Sequence, residues 1–229
     1  MSDIKYNTFE LPNIPLLKTE LPIDIYNSVM SEIKEIERNG STNTWNHELA
    51  GAIEREYLLT KSKSSLDSFL IDAAKKYPSP HLIARSGISP FKRRLVTEIE
   101  YEVGDIWVNY QQKNEYNPIH NHGGDLSFVI WMEIPFKHSD ECNVKNVVNS
   151  NATQSAAVFE IVYNDILGSI RTFHLPVENG WEGRIIMFPA KLFHSVNPFQ
   201  TSDGYRISIS GNLTLTSPPS NNSPKAFEI

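Results

Sequence analysis

Asn117-Pro118-Ile119-His120-Asn121-His122-Gly123-Gly124-Asp125 leads directly into Leu126-Ser127-Phe128-Val129-Ile130-Trp131-Met132-Glu133-Ile134. In the second half, alternate residues separate into two sets. Leu126, Phe128, Ile130, Met132 and Ile134 fall on one face, and Ser127, Val129, Trp131 and Glu133 on the other. A period of two marks a strand, because successive side chains of an extended chain point to opposite sides. The same rule places His120 and His122 on one face, where two imidazoles can grip a single ion. A strand buried on at least one side is thus entered, through a Gly-Gly turn, from a potential chelate.

Working outward, strand-like segments separated by Gly, Asn, Asp and Pro occupy 105–112, 119–122, 126–134, 157–163, 169–177, 183–188, 193–197 and 205–215. Before them the period is helical. Ile25, Val29, Ile33 and Ile36 share a face over 24–36, with Pro22 just ahead of an Asp24 cap, and Leu66, Phe69, Leu70 and Ala73 do so over 65–76, where Pro78 and Pro80 stop the helix. Helices followed by short strands predict a mainly β, two-sheet jelly roll buttressed by N-terminal helices. The expected division is a helical support region over 1–95, a β core over 96–216 containing a long loop at 139–155, and a loose tail over 217–229.

Composition narrows the function classes. The 229 residues include 21 Lys+Arg and 27 Asp+Glu, a net charge of −6. With no basic run beyond Lys92-Arg93-Arg94, this argues against sequence-independent nucleic-acid binding. Cys142 is the single cysteine, which excludes an intramolecular disulfide and points to a reducing compartment. No apolar run approaches the roughly 20 residues of a membrane span, and the N-terminus lacks a signal-peptide layout, so a cytoplasmic location is expected, in a host cell if the protein is viral.

A third ligand for an ion at His120 and His122 is available in His194, if its strand lies antiparallel beside them, about 4.8 Å away. Alternatively, any of these histidines could simply hydrogen-bond in a polar loop. In Arg206-Ile207-Ser208-Ile209-Ser210, Arg206, Ser208 and Ser210 share a strand face. An Arg facing a barrel interior is costly unless an anion meets it, and its planar fork suits a carboxylate. The alternative is a solvated Arg on a surface strand. His47 beside Glu48, the isolated His81, His138 and His174, and Cys142 are assigned no role.

The ordered set HxH, the strand 125–135, Gly183-Arg184-Ile185-Ile186-Met187-Phe188-Pro189, His194 and Arg206-x-Ser208 resembles the Fe(II)- and 2-oxoglutarate-dependent oxygenases, most closely a branch found in bacteria and bacteriophages. The likeness covers about 106–215. It implies a double-stranded β-helix (jelly roll, cupin-like) with Fe(II) in its mouth, and 2-oxoglutarate and dioxygen as cosubstrates for the oxidation, by default hydroxylation, of an unknown primary substrate. His120 and His194 would be iron ligands, Arg206 would pair with the distal carboxylate of 2-oxoglutarate, and Ser208 would assist. Asn109, with Trp107, would lie where the family often places cosubstrate or substrate contacts. The usual carboxylate of the family's His-x-Asp/Glu motif is here His122. Either His122 completes the metal site, which strand geometry favours, or Asp125 folds back to do so. Two other classes remain at this point: a non-catalytic jelly-roll module, as in a viral particle, and a three-His cupin-type enzyme that does not use 2-oxoglutarate.

Overall fold

The computed structural model describes residues 13–78, 100–148 and 155–216. The expectations at His81, at Lys92-Arg93-Arg94 and for the tail lie outside those residues. In chain order the elements are β1 (Leu17–Glu20), α1 (Ile23–Asn39), β2 (Arg55–Leu58), α2 (Lys63–Lys75), β3 (Glu100–Gln111), β4 (Asn117–His120) and β5 (Leu126–Glu133). Two short helices follow, α3 (His138–Cys142) and α4 (Lys145–Val148), then β6 (Phe159–Asn164), β7 (Ile170–Leu175), β8 (Arg184–Pro189), β9 (Phe193–Val196) and β10 (Arg206–Thr216). Each of the eight expected strand segments corresponds to one of β3 to β10.

The strands form two antiparallel sheets, ordered β1-β8-β5-β10-β3-β2 and β4-β9-β6-β7. Strand alternation divides the apolar residues between two cores. Leu126, Phe128, Ile130 and Met132 of β5 face the helices, where Val29, Ile33, Leu66 and Leu70 cover them together with Ile106, Val108, Ile207 and Ile209. Val129 and Trp131 face the other way and meet Ile186, Phe188, Phe159 and Ile161 between the sheets. Strand β5 is therefore buried on both faces, as a central strand should be. Ile134 departs from the expected alternation: it lies past the end of β5 and packs between the sheets.

The sequence expectation needs correction at three points. Asp24 does not cap α1. Pro22 holds the N-cap position with no side-chain hydrogen bond, and Asp24 sits in the first turn, where its charge suits the helix dipole. The stretch 139–155 is not all loop, since it carries the C-terminal part of α3 and the whole of α4. Strands β1 and β2 were not anticipated: at four residues each they are too short to show a period, yet they form the two edges of the larger sheet. Helices α1 and α2 are clamped through buried Glu32. Its carboxylate accepts from the N–H groups of Thr60, Lys61 and Ser62 at 2.8, 3.0 and 2.8 Å and from Ser62 Oγ at 2.6 Å. No helix among the described residues is long and apolar enough to cross a membrane.

Candidate active site

The mouth between the sheets contains a cavity of about 130 Å³ lined in part by His120, His122, His194, Asn109 and Ser208. Antiparallel pairing of β4 with β9 sets His120 directly opposite His194. His122 arrives differently from expectation. Strand β4 ends at His120, and His122 is positioned beyond it by its own N–H donating to Ala190 O at 2.8 Å and by Lys191 Nζ donating to its carbonyl at 2.9 Å. The potential ligand atoms of the three histidines all lie within 4.8 Å of one another.

Hydrogen bonds select which ring nitrogens face inward. His120 Nδ1 lies 2.7 Å from Pro118 O, and His194 Nδ1 lies 3.0 Å from Leu192 O. Only an N–H can satisfy a carbonyl, so both rings carry their proton on Nδ1 and turn an Nε2 lone pair away from it. His194 Nε2 then faces His122 Nε2 at 3.2 Å. Two ligands about 2.1 Å from one ion, on adjacent corners of an octahedron, would be about 3 Å apart. Burial, reinforced by His120, holds His122 down to about 4 and His194 down to about 3, so both rings are neutral ligands near pH 7. Phe159 stacks on His194 at 5.5 Å and Phe188 meets it edge-on at 4.9 Å, which screens that side from water. The donor set fits a divalent transition metal.

Asp125, the alternative ligand, points elsewhere. Its Oδ2 accepts from Leu215 N at 2.8 Å, and it belongs neither to the histidine cluster nor to the cavity lining. The turn glycines explain this: Gly124 adopts φ 54°, with Leu213 O only 2.9 Å from where a Cβ would lie, so the chain is pressed against β10 as β5 begins.

Arg206 requires a second correction. It is buried as expected, at 1% exposure, but it is not unpaired and does not line the cavity. Nε and Nη2 both donate to Gln111 Oε1, at 2.9 and 2.7 Å, while Nη1 donates to Ala157 O at 2.8 Å and Nη2 to Asn197 O at 2.6 Å. The rings of Phe136 and Phe199 flank it at 5.6 Å. Ser208 and Asn109 do line the cavity, and Asn109 Nδ2 donates to Ser208 Oγ at 3.3 Å.

Other histidines have local partners: His174 Nε2 meets Glu160 at 2.8 Å, and His138 lies beside Cys142 Sγ at 3.7 Å. Burial and Glu141 raise the Cys142 thiol, which opposes a nucleophilic role. Glu56, Asn117 and Phe159 line the cavity although nothing in the sequence singled them out. Glu48, set aside with His47 on the sequence alone, also reaches its lining.

Residues 105–212 match a family model described as "Putative 2OG-Fe(II) oxygenase". No curated protein matches the sequence. Among solved structures, the chain is similar to a prolyl-4-hydroxylase of Pseudomonas putida at 11% identity, over 88% of this chain and 92% of that one, with a TM-score of 0.49. It is also similar to an oxidoreductase of the 2OG-Fe(II) oxygenase family from Burkholderia pseudomallei, at 12% identity over 86% and 85% of the two chains with a TM-score of 0.45. A Trichoplax adhaerens prolyl hydroxylase, solved with a hypoxia inducible factor peptide fragment, is similar at 11% identity over 88% and 83%, with a TM-score of 0.47. At such scores no substrate is carried over from these structures. The matched segment, 108 of the 229 residues, contains all three clustered histidines, Asn109 and Ser208, so the likeness to the 2OG-Fe(II) oxygenases falls on the part of the chain that builds the cavity.

Proposed function

We propose that His120, His122 and His194 hold the iron of this 2-oxoglutarate-dependent oxygenase as three neutral imidazoles, with Ser208 and Asn109 on the cosubstrate side of the cavity. The observation that carries this reading is the convergence of the three rings, two of them locked with Nδ1–H on a backbone carbonyl. When bound, the iron, 2-oxoglutarate and dioxygen supply the oxidative chemistry, in which the cosubstrate is decarboxylated to succinate and the primary substrate is oxidised, by default hydroxylated.

The chain's own residues bind and orient. Three neutral ligands leave the ion its full charge, one unit more than a two-His, one-carboxylate face would leave, and this strengthens its attraction for a dianionic cosubstrate. Ser208 Oγ accepts from Asn109, which leaves its own proton to donate to a carboxylate. Arg206 lies two residues away on the same strand face and acts through its charge alone while Gln111 holds its guanidinium. A net charge of −6 disfavours a nucleic acid as primary substrate, and a reducing cytoplasm suits an enzyme with one thiol and ferrous iron.

Thermal unfolding with Mn(II) in place of Fe(II) tests this reading. At 100 times its dissociation constant the metal is expected to stabilise the protein by about 2.7 kcal/mol. 2-Oxoglutarate is expected to add to that only once metal is present. No response to Mn(II), or an equal response to 2-oxoglutarate without it, overturns the proposal.

A further inference from the structure

The interior face that carries Ser208 continues across two more strands. Ser208 pairs with Asn109 across β10 and β3, and Asn109 pairs with Glu56 across β3 and β2. Glu56 lies outside the segment matched by the family model, yet it lines the same cavity as the three histidines. It is 0% exposed. Asn46 Nδ2 donates to its Oε2 at 3.3 Å, but Oε1 has no hydrogen-bond partner, and neither does the buried Oδ1 of Asn109. Buried acceptors without donors are costly, and two of them on adjacent strands of one cavity wall call for a ligand rich in N–H or O–H groups.

Charge decides between those donors. Among the described residues no Lys or Arg lines the cavity: Arg206 is engaged by Gln111, and Lys191 by the carbonyl of His122. A divalent ion on three neutral imidazoles is balanced by a dianionic cosubstrate, so the carboxylate of Glu56 is left as an uncompensated charge. We propose that Glu56 and Asn109 Oδ1 form a substrate subsite for a cationic nitrogen group, an amine or guanidinium, which makes the primary substrate a cation where it enters beside the metal. This inference rests on the metal and cosubstrate reading above. Burial, and then the charge of Glu115, push Glu56 up to about 7. Without a ligand the acid and carboxylate forms of Glu56 are therefore about equally populated near neutrality, and a cation would favour the ionised form.

The test uses the full chain loaded with Mn(II) and 2-oxoglutarate and four probes of similar size: butylguanidinium, butylammonium, the neutral butylurea and the anionic pentanoate. Both cations are expected to raise the unfolding temperature further. Butylguanidinium is expected to bind about tenfold or more tightly than butylurea, because hydrogen bonds to a charged group are worth more than neutral ones. Pentanoate is expected to have no effect. Glu56→Gln should erase the preference for guanidinium over urea while the Mn(II) and 2-oxoglutarate responses persist. The ranking in the unaltered protein stands as a test even if that variant does not fold. Equal binding of butylguanidinium and butylurea, tighter binding of pentanoate, an undiminished preference in Glu56→Gln, or a response to Mn(II) and 2-oxoglutarate with none to any probe overturns the inference alone. Failure to respond even to Mn(II) overturns the underlying reading, and the inference with it.

Discussion

Two groups of nitrogens lie inside the same barrel and are treated in opposite ways. Arg206 is surrounded by protein acceptors: one side-chain oxygen and two carbonyls receive four of its N–H bonds. The three histidines turn ring nitrogens toward one another, with His122 Nε2 and His194 Nε2 3.2 Å apart and, among the described residues, no carboxylate in their cluster. Both groups carry nitrogen chemistry suited to a ligand, with Arg206 and His194 buried and His120 and His122 half-buried. What separates them is the number of bonds the protein leaves unmade. Burial by itself therefore does not mark a ligand site, whereas unmet hydrogen-bonding or coordinating capacity does.

Removing the satisfied member should produce the largest effect. Arg206→Ala strands Gln111 Oε1 and the carbonyls of Ala157 and Asn197, opens a cavity beside Phe136 and Phe199, and leaves buried Glu141 without its nearby counter-charge. A loss of about 3–5 kcal/mol in denaturant unfolding is expected. A variant that keeps its stability and loses only the response to 2-oxoglutarate would show instead that the guanidinium leaves Gln111 to bind the cosubstrate directly.

Two buried glutamates repeat the contrast and give it a pH signature. Burial pushes the Glu32 carboxyl up, but donation from Ser62 Oγ and the N–H groups of Lys61, Thr60 and Ser62 outweighs it, and the net shift is downward. The stability it adds is present above the unfolded value of about 4.3 and is lost as the pH falls through the folded value. Glu56 has only the long bond from Asn46 Nδ2 to Oε2 at 3.3 Å and no donor to Oε1, and burial raises it to about 7. Its contribution is complete below about 4.3 and is lost as the pH rises through 7, up to about 4 kcal/mol at 1.36 kcal/mol per unit. Glu56→Gln should flatten stability between pH 5 and pH 8. Glu32→Gln should instead cost about 2 kcal/mol at neutral pH, an effect that fades in acid. Identical pH profiles for the two variants would erase the distinction.

The unsatisfied member responds to metal instead. His194→Ala should lose the Mn(II)-dependent stabilisation of about 2.7 kcal/mol at 100 dissociation constants, measured by thermal unfolding. If Asp125→Ala rather than His194→Ala removed it, the ligand set would be wrong.

Much of this arrangement was legible in the sequence wherever it depended on periodicity. The alternation in β5 marked a strand buried on at least one side, which the structure buries on both, and the spacing of Val29, Ile33 and Ile36 marked a helix face. The histidines were legible because two stand close in sequence and the third could be reached across a strand pair. Arg206 was found, but its partners were not. Gln111 lies 95 positions away, and nothing local announces that its amide will be turned toward a guanidinium. Glu56 was invisible for a related reason. It sits in a four-residue edge strand whose pairing with β3, rather than its own sequence, carries it to the cavity.

Gly51 offers the smallest and most selective test of that last placement. It packs so closely against the cavity wall that an added Cβ would lie 2.3 Å from Asn117 Oδ1 and 3.1 Å from Glu56 Oε1. Both neighbours are ends of side chains, which can swing aside, so Gly51→Ala should change stability by no more than about 1 kcal/mol. Neither displaced acceptor belongs to the cluster of metal ligands. The Mn(II) response should therefore be unchanged while butylguanidinium binds more weakly, as read from the shift in unfolding temperature. If the methyl group instead weakened Mn(II) and left the cation unaffected, the carboxylate of Glu56 would have to serve the histidines and not the substrate.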